Sequence, residues 1–141
     1  MYELRVDGHF DAAHFIKDYN GKCSRMHGHR WGVQVCLVGN KLDRTNILVD
    51  FSVVKELLKR RTDFLDHYIV NEQLNEPNIT AEYIAKWLFE CMRMDLYDKS
   101  TISIHVESAG PSGSFNKLDD EWLICTQSSK LESNFFSHST G

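Results

Sequence analysis

Two histidines separated by one glycine follow a cysteine in the stretch KCSRMHGHR, residues 22–30. Side chains two residues apart on a β-strand point to the same face, about 6.5–7 Å apart, so His27 and His29 can approach one metal ion. His14 ends another alternating stretch and becomes a third ligand if the two stretches pair antiparallel. Three neutral histidines are typical of a catalytic zinc site with one open position. The spacing alone also allows half-buried histidines that bond backbone carbonyls.

Cys23 lies four residues before His27, in the loop that precedes the strand. A thiol that is flanked by Lys22 and Arg25 and lies close to a divalent cation loses its proton readily, which makes it a base or nucleophile near neutral pH. The alternative is a small loop cysteine with no chemical role. The chain has no CxxC spacing and no export signal, which indicates reduced thiols. Three further cysteines are predicted to be packing residues: Cys36, Cys91 and Cys125.

Three acidic and imidazole side chains further along the chain also have types suited to catalysis. Asp66 and His67 place a carboxylate beside an imidazole, a pair suited to proton transfer, but a direct bond between them needs a turn in the chain. Glu107 lies on a predicted strand, on the side opposite Ile104 and Val106. A carboxylate held there can accept two parallel N–H bonds from a guanidine-like ring edge. An exposed strand glutamate is the alternative.

The elements that position these groups follow from the hydrophobic pattern. Residues 2–15 and the stretch from residue 27 alternate, which predicts two paired strands. Asp50 and Thr80 are suitable N-caps for two amphipathic helices, the second of which should end near Tyr97. Residues 101–107 and 122–126 predict two more strands, with a loop over 109–120. The order β-β-α-α-β-β predicts an α+β domain in which two helices cover one face of an antiparallel four-stranded sheet.

The bulk composition restricts the class of protein. A chain of 141 residues predicts one domain, over 1–126, followed by a polar tail over 127–141. A net charge of −4 argues against a general partner in nucleic acid or a membrane surface, because such binding needs a basic surplus. The N-terminus has no apolar run typical of a signal peptide, which predicts a cytoplasmic protein. His9 and His138 are predicted to be surface residues.

Together, six stretches resemble the family of 6-pyruvoyl-tetrahydropterin synthase and its bacterial relative 6-carboxytetrahydropterin synthase, in the tunnelling-fold superfamily. They occur in the order of the family and cover nearly the whole chain apart from the tail. They are FDAAH (10–14), CSRMHGH (23–29), LVDF (48–51), LDH with Asn71 (65–71), PNITAE (77–82) and VES (106–108). The resemblance implies subunits that assemble into a β-barrel, usually as a homohexamer of two stacked trimers, with sites between subunits.

The resemblance also implies a role for each candidate residue. Zn2+ would be the metal, and a small pterin would be the substrate. Lys22 and Arg25 belong to a basic loop, and we expect this loop to face the phosphates of the substrate. The metal ligands would be His14, His27 and His29. The proton-transfer groups would be the thiol of Cys23 with Asp66 and His67. The pterin contacts would be Glu107, on the amino-pyrimidine edge, and Thr80, beside its capping role.

The gap between the thiol and the first histidine separates two branches of the family. Here it is Cys-x3-His-Gly-His, which resembles the branch of queuosine biosynthesis, whereas the biopterin-type synthases usually have a longer gap. The reaction this implies converts 7,8-dihydroneopterin triphosphate to 6-carboxy-5,6,7,8-tetrahydropterin, acetaldehyde and triphosphate. A 6-pyruvoyl-tetrahydropterin synthase and a non-catalytic zinc- or pterin-binding module remain as alternatives. The chain departs from the family pattern at residues 68–70 and at Ser108, where threonine is usual.

Overall fold

A computed structural model describes residues 1–99, 103–110 and 113–118 of the chain. Strands β1 (Tyr2–His14) and β2 (His27–Gly39) form a long antiparallel hairpin, and β3 (Ser103–Gly110) pairs with β4 (Gly113–Leu118). The four strands form one antiparallel sheet in the order β1-β2-β3-β4. Between the hairpins lie α1 (Phe51–Leu65), the short α2 (Val70–Gln73) and α3 (Ala81–Asp95). The predicted α+β class and four-stranded antiparallel sheet are confirmed.

The hydrophobic core lies between one face of the sheet and the two long helices. Alternate residues of each strand point to this face, as the period of two requires. The largest buried side chains of the strands are Phe10, Trp31, Leu37 and Ile104, and those of the helices include Leu58, Leu65, Ile84, Leu88 and Met92. Burial of each such side chain contributes about 1.5–3 kcal/mol to folding. This packing holds the first hairpin rigidly against the helices, and the hairpin carries the histidines.

Both long helices begin at the predicted N-cap residues. The Asp50 carboxylate accepts the backbone N–H of Ser52 at 2.9 Å, and the Thr80 hydroxyl accepts that of Tyr83 at 3.0 Å. Each bond satisfies a backbone donor that the first helical turn leaves without a partner. α3 ends at Asp95, close to the predicted end. Among the described residues, no helix is both long enough and apolar enough to cross a membrane.

The predicted loop over residues 109–120 is wrong in part, because Gly113–Leu118 forms β4. This segment pairs with β3 in a continuous register from Gly110 opposite Gly113 to His105 opposite Leu118. The local sequence contains glycine, serine and asparagine, which favour turns, but pairing with a neighbouring strand outweighs such a local preference. The strand predicted over 122–126, Cys125, His138 and the tail over 127–141 lie outside the described residues.

Candidate active site

The three predicted metal ligands converge at one end of the first hairpin, on the face that carries the core. His14 lies directly opposite His27 in the β1–β2 register, and Ala12 lies opposite His29. The ligand atoms of the three histidines lie within 4.8 Å of one another, and the Nε2 atoms of His14 and His29 are 3.2 Å apart. Two nitrogens bound at about 2.05 Å to a tetrahedral zinc ion are about 3.3 Å apart. The predicted convergence is confirmed, and its spacing fits a metal ion.

Backbone carbonyls select the tautomer of each ring. A carbonyl oxygen only accepts hydrogen bonds, so a ring nitrogen that bonds one carries the proton, and the other nitrogen keeps a lone pair for a metal. The alternative stated above, in which the histidines bond backbone carbonyls, is therefore compatible with a metal site, because a carbonyl uses one ring nitrogen and leaves the other for the metal. The Nδ1 atoms donate as follows: His14 to the Ile79 carbonyl at 2.9 Å, His27 to Arg25 at 2.8 Å and His29 to Arg30 at 3.0 Å.

The indole of Trp31 forms an apolar wall beside the ligands. Its ring centroid lies 4.3 Å from that of His29 and 4.8 Å from that of His14. Burial lowers the pKa of His14, and this effect outweighs that of the hydrogen bond donated to the Ile79 carbonyl, which raises the pKa. His14 therefore favours the neutral form that a metal ligand needs. In neutral rings protonated at Nδ1, the lone pairs of two Nε2 atoms face each other at 3.2 Å, an arrangement that a cation between them stabilises.

Cys23 lies in a single 3-10 turn, Lys22–Ser24, within the loop that joins β1 to β2. Its thiol is free and half-buried, and its carbonyl accepts the backbone N–H of Ile16 at 2.7 Å. This bond ties the turn to the segment that follows His14. The side chains of Lys22 and Arg25 are exposed on the same loop. The loop therefore presents two cations to solvent beside the hairpin end that carries the histidines.

Asp66 and His67 form the direct bond that the sequence makes conditional on a turn. His67 has a positive φ of 64°, and its Nδ1 lies 3.0 Å from the Asp66 carboxylate. Both residues also hydrogen-bond the backbone of Asp11 in β1. The Asp66 carboxylate accepts the Asp11 N–H at 2.8 Å, and the His67 N–H donates to the Asp11 carbonyl at 2.6 Å. The Asp11 N–H, followed by the bond to His67, holds the pKa of Asp66 below its ordinary value. Asp66 is therefore a persistent anion beside an exposed imidazole.

Asp11 is a neighbour of this pair that the sequence reasoning missed. Its carboxylate accepts two bonds from the Arg30 guanidinium, at 3.0 and 3.1 Å, which lower its pKa. The sequence pattern could have predicted this ion pair, since Asp11 and Arg30 both lie on the polar face of their strands and come together when the predicted hairpin forms. A cavity of about 510 Å3 between β1 and α1 is lined by Asp11, Arg30 and Asp66, and a second, of about 450 Å3, is lined by Asp11 and His67.

Glu107 lies on the face of the sheet opposite the helices, as the strand parity predicts. The neighbouring Ser108 points the other way, where its hydroxyl donates to the Ala81 carbonyl at the start of α3, at 2.6 Å. Glu107 is only 4% exposed, so the alternative of an exposed strand glutamate is wrong. The histidines lie on the helix-facing side, so the sheet separates them from Glu107 within one chain.

Two of the cysteines assigned to packing are indeed buried. Burial raises the pKa of both the Cys36 and the Cys91 thiols. Cys91 lies on the buried side of α3. Cys36 faces the polar side of the sheet, where its thiol donates to the Glu3 carboxylate at 2.6 Å. Neither thiol is therefore poised as a nucleophile.

Comparison with known proteins identifies close relatives. The family described as 6-pyruvoyl tetrahydropterin synthase matches residues 3–111. A 6-carboxy-5,6,7,8-tetrahydropterin synthase of Bacillus subtilis is 37% identical over 93 residues, covering 63% of this chain and 64% of that protein. The protein of the same name from Synechocystis is 38% identical over 94 residues, covering 63% of this chain and 73% of the relative. The match thus spans just under two thirds of the Bacillus protein.

Solved structures show the same fold. The 6-pyruvoyl tetrahydropterin synthase of Caenorhabditis elegans aligns with a TM-score of 0.71 at 22% identity, covering 84% of this chain and 96% of that one. The Plasmodium falciparum enzyme aligns with a TM-score of 0.71 at 20% identity, covering 84% and 97%. The architecture of sheet and helices described above is therefore that of these synthases.

Proposed function

Because this chain belongs to the 6-pyruvoyl tetrahydropterin synthase family, we propose that it converts 7,8-dihydroneopterin triphosphate and one molecule of water to 6-carboxy-5,6,7,8-tetrahydropterin, acetaldehyde and triphosphate. The observation that carries this proposal is the convergence of His14, His27 and His29 at a spacing that fits one metal ion. The choice of product rests on the three-residue gap between Cys23 and His27, and it agrees with the names of the curated relatives. The gap also favours a place in queuosine biosynthesis.

The proposed metal is Zn2+, held by the three histidines. Zinc bound there would polarise the hydroxyl groups of the substrate side chain and make the adjoining protons more acidic. The residues support such a site in two ways. Each ring keeps its Nε2 lone pair because a carbonyl fixes Nδ1, and Trp31 supplies an apolar wall that limits water on one side.

The chain's own groups divide the remaining work. Cys23 removes a proton from the substrate side chain, and His67 delivers or accepts the second proton. Asp66 orients the His67 ring through the 3.0 Å bond. Glu107 holds the amino-pyrimidine edge through two parallel N–H bonds, while Thr80 contacts the pterin from the start of α3. Fixed positioning of this kind lowers a reaction barrier by several kcal/mol, on the order of 10² or more in rate.

The experiment that tests the proposal is product analysis. The purified, zinc-loaded protein is incubated with 7,8-dihydroneopterin triphosphate, and mass spectrometry identifies the pterin while a coupled dehydrogenase assay detects acetaldehyde. We expect carboxytetrahydropterin and one equivalent of acetaldehyde. A dicarbonyl pterin without acetaldehyde would instead identify a 6-pyruvoyl-tetrahydropterin synthase, the alternative that the description of the matching family favours. No consumption of substrate would favour a non-catalytic binding module.

Replacement of the thiol separates catalysis from binding. Cys23→Ala should keep zinc and the pterin but lose turnover by 10²-fold or more, in line with the loss of a general base. Metal analysis and single-turnover kinetics measure the two properties. Turnover equal to that of the wild type would remove Cys23 from the mechanism.

The exposed cations of the loop are proposed to face the triphosphate. Lys22→Ala and Arg25→Ala should raise the KM for the triphosphate substrate far more than that for dihydroneopterin, which has no phosphate, because only the former makes the ion pairs. Steady-state kinetics with both compounds gives the comparison. Equal changes for both compounds would show that the two side chains do not contact phosphate.

The proposed assembly is a homohexamer of two stacked trimers with sites between subunits. Two observations support this assembly: within the described part of the chain the outer strands of the sheet are β1 and β4, and the sheet separates Glu107 from the histidines. Light scattering on the purified protein measures the mass. Mixed oligomers of Cys23→Ala and Glu107→Gln subunits should recover part of the activity that each variant lacks alone, because some sites then combine both wild-type residues. A cytoplasmic location remains a prediction.

A further inference from the structure

We infer that Asn71 is a positioning residue for the metal centre, because its side chain joins the strand end that carries His14 to the segment that carries the hydrogen-bond partner of His14. Asn71 lies in α2 and is 6% exposed. It belongs to neither the set of metal ligands nor the proton-transfer groups. The inference rests on the metal site of the proposed function, and it concerns how that site is held in place.

The Asn71 carboxamide bonds two separate segments of backbone. Its Oδ1 accepts the N–H of Phe15 at 3.0 Å, while its Nδ2 donates to the Phe15 carbonyl at 2.9 Å and to the Pro77 carbonyl at 3.0 Å. Both amide hydrogens and one lone pair of the oxygen are thereby used. Phe15 directly follows His14 in the chain. The amide therefore restrains the backbone immediately beside a predicted ligand.

The second segment carries the acceptor that orients the His14 ring. Pro77 lies two residues before Ile79, whose carbonyl accepts the Nδ1–H of His14 at 2.9 Å. The two segments also pair directly, because the Ile79 N–H donates to the Phe15 carbonyl at 3.2 Å and the Lys17 N–H donates to the Pro77 carbonyl at 3.1 Å. Asn71 thus fastens the ligand and the carbonyl that orients it into one unit.

The geometry of a metal site makes this fastening consequential. Metal–ligand distances are held to about ±0.2 Å, and loss of a hydrogen bond that orients a ligand typically weakens metal binding about 10–100-fold. Without the Asn71 amide, the Phe15 N–H loses this acceptor and the segment of Ile79 is held by fewer bonds. Because Asn71 acts one bond further from the ring than Ile79, we expect the lower end of that range, about tenfold.

Direct measurement of metal binding tests the inference. The full chain and the variants Asn71→Ala and Asn71→Asp are titrated with Co2+, whose visible absorption reports ligand geometry, and zinc affinity is measured by competition with a chelator. Both variants should bind zinc about tenfold more weakly and show an altered cobalt spectrum. Asn71→Asp keeps the size of the side chain but turns an oxygen toward two carbonyls. If Asn71→Ala does not fold, Asn71→Asp alone is compared with the wild type for zinc affinity and for the cobalt spectrum.

Two control variants separate positioning from a general loss of stability. Gln73→Ala removes another amide of α2, which donates to the Phe64 carbonyl at 2.6 Å and bonds neither the segment after His14 nor that of Ile79, so zinc affinity should not change. Thr62→Val removes a partly buried hydroxyl bond to the Lys59 carbonyl in α1, which should lower the melting temperature without weakening zinc binding.

The outcomes distinguish this inference from the proposed function. Folded Asn71 variants that bind zinc as tightly as the wild type, with an unchanged cobalt spectrum, would overturn the positioning role even if their melting temperatures fall. Failure of the wild-type protein to bind zinc would instead overturn the metal site itself. Because neither measurement uses a pterin, an unexpected pterin product would leave the inference about Asn71 unaffected.

Discussion

Replacement of Gly110 by alanine should damage the metal site while leaving the fold almost intact. Gly110 ends β3, where the backbone passes close to the ring of His29. A Cβ at this position would lie 3.0 Å from Cε1 of His29 and 3.6 Å from its Nε2. Ordinary contacts between carbon atoms are about 3.5–4.0 Å long. The ring must therefore retreat by about 0.5 Å, or rotate, to accept the methyl group.

This displacement of the His29 ring should have little effect on the stability of the fold and a large effect on metal binding. His29 is only partly buried, so its ring can move without opening a cavity in the core. A ligand tolerates about ±0.2 Å in its distance to the metal, so a shift of about 0.5 Å exceeds that tolerance. We expect Gly110→Ala to weaken zinc binding about 10–100-fold, which corresponds to about 1.4–2.7 kcal/mol. The melting temperature of the metal-free protein should change little.

Gly32→Ala is the matched control, because Gly32 lies in the middle of β2 and a Cβ there would meet no atom within 4 Å. Zinc affinity is measured by chelator competition for the wild type and both variants, and circular dichroism checks that each is folded. Gly110→Ala should lose affinity and Gly32→Ala should not. Equal zinc affinities in the two variants would refute the reasoning, since the steric contact would then have no effect on the ligand.

Three further predictions concern stability and pH. Leu58→Ala should lower the free energy of unfolding by about 3 kcal/mol in denaturant titrations, because Leu58 is 2% exposed; a loss below about 1 kcal/mol would contradict its core position. The bonds from the Asp11 N–H and from His67 lower the pKa of Asp66 in the folded protein. The ionised carboxylate therefore stabilises the fold above about pH 4, and this stabilisation is lost as the pH falls through the lower pKa of the folded state. The melting temperatures of the wild type and Asp66→Asn should converge at that low pH, and a difference that stays constant with pH would contradict the prediction. Burial lowers the pKa of His105, so the fold is most stable above about pH 6.5, where the ring is neutral, and stability is lost as the pH falls below that value. The melting temperature of the metal-free wild type should therefore fall more steeply from pH 7 to pH 5 than that of His105→Asn. Parallel plots of melting temperature against pH would exclude a contribution from His105.

The convergence of the three proposed metal ligands was predictable because their placement depends on local rules. Alternation over β1 and β2 fixes which face each side chain takes, and two adjacent antiparallel strands of equal length bring His14 opposite His27. The N-caps at Asp50 and Thr80 were predictable for a similar reason, since the bond that each makes lies within three residues.

The remaining features depend on contacts between distant parts of the chain. β4 forms over residues that favour turns because β3 offers a row of backbone partners, and no local pattern encodes that. Asn71 reads as one polar residue in a short helix, yet its amide meets Phe15, 56 residues away in sequence. Gly110 has no unusual backbone angle to mark it, and its role comes only from the nearby ring of His29.

The position of Glu107 carries the strongest argument about how the site is completed. Strand parity places Glu107 and the three histidines on opposite faces of one sheet, and the core lies on the histidine side. A small pterin held by Glu107 cannot pass through a packed sheet to reach a metal on the other face. If both groups act on one substrate, they must come from different chains or meet around an edge of the sheet. Among the described residues, β1 and β4 are the outer strands, and in the proposed assembly a neighbouring subunit would bring the two groups together at such an edge.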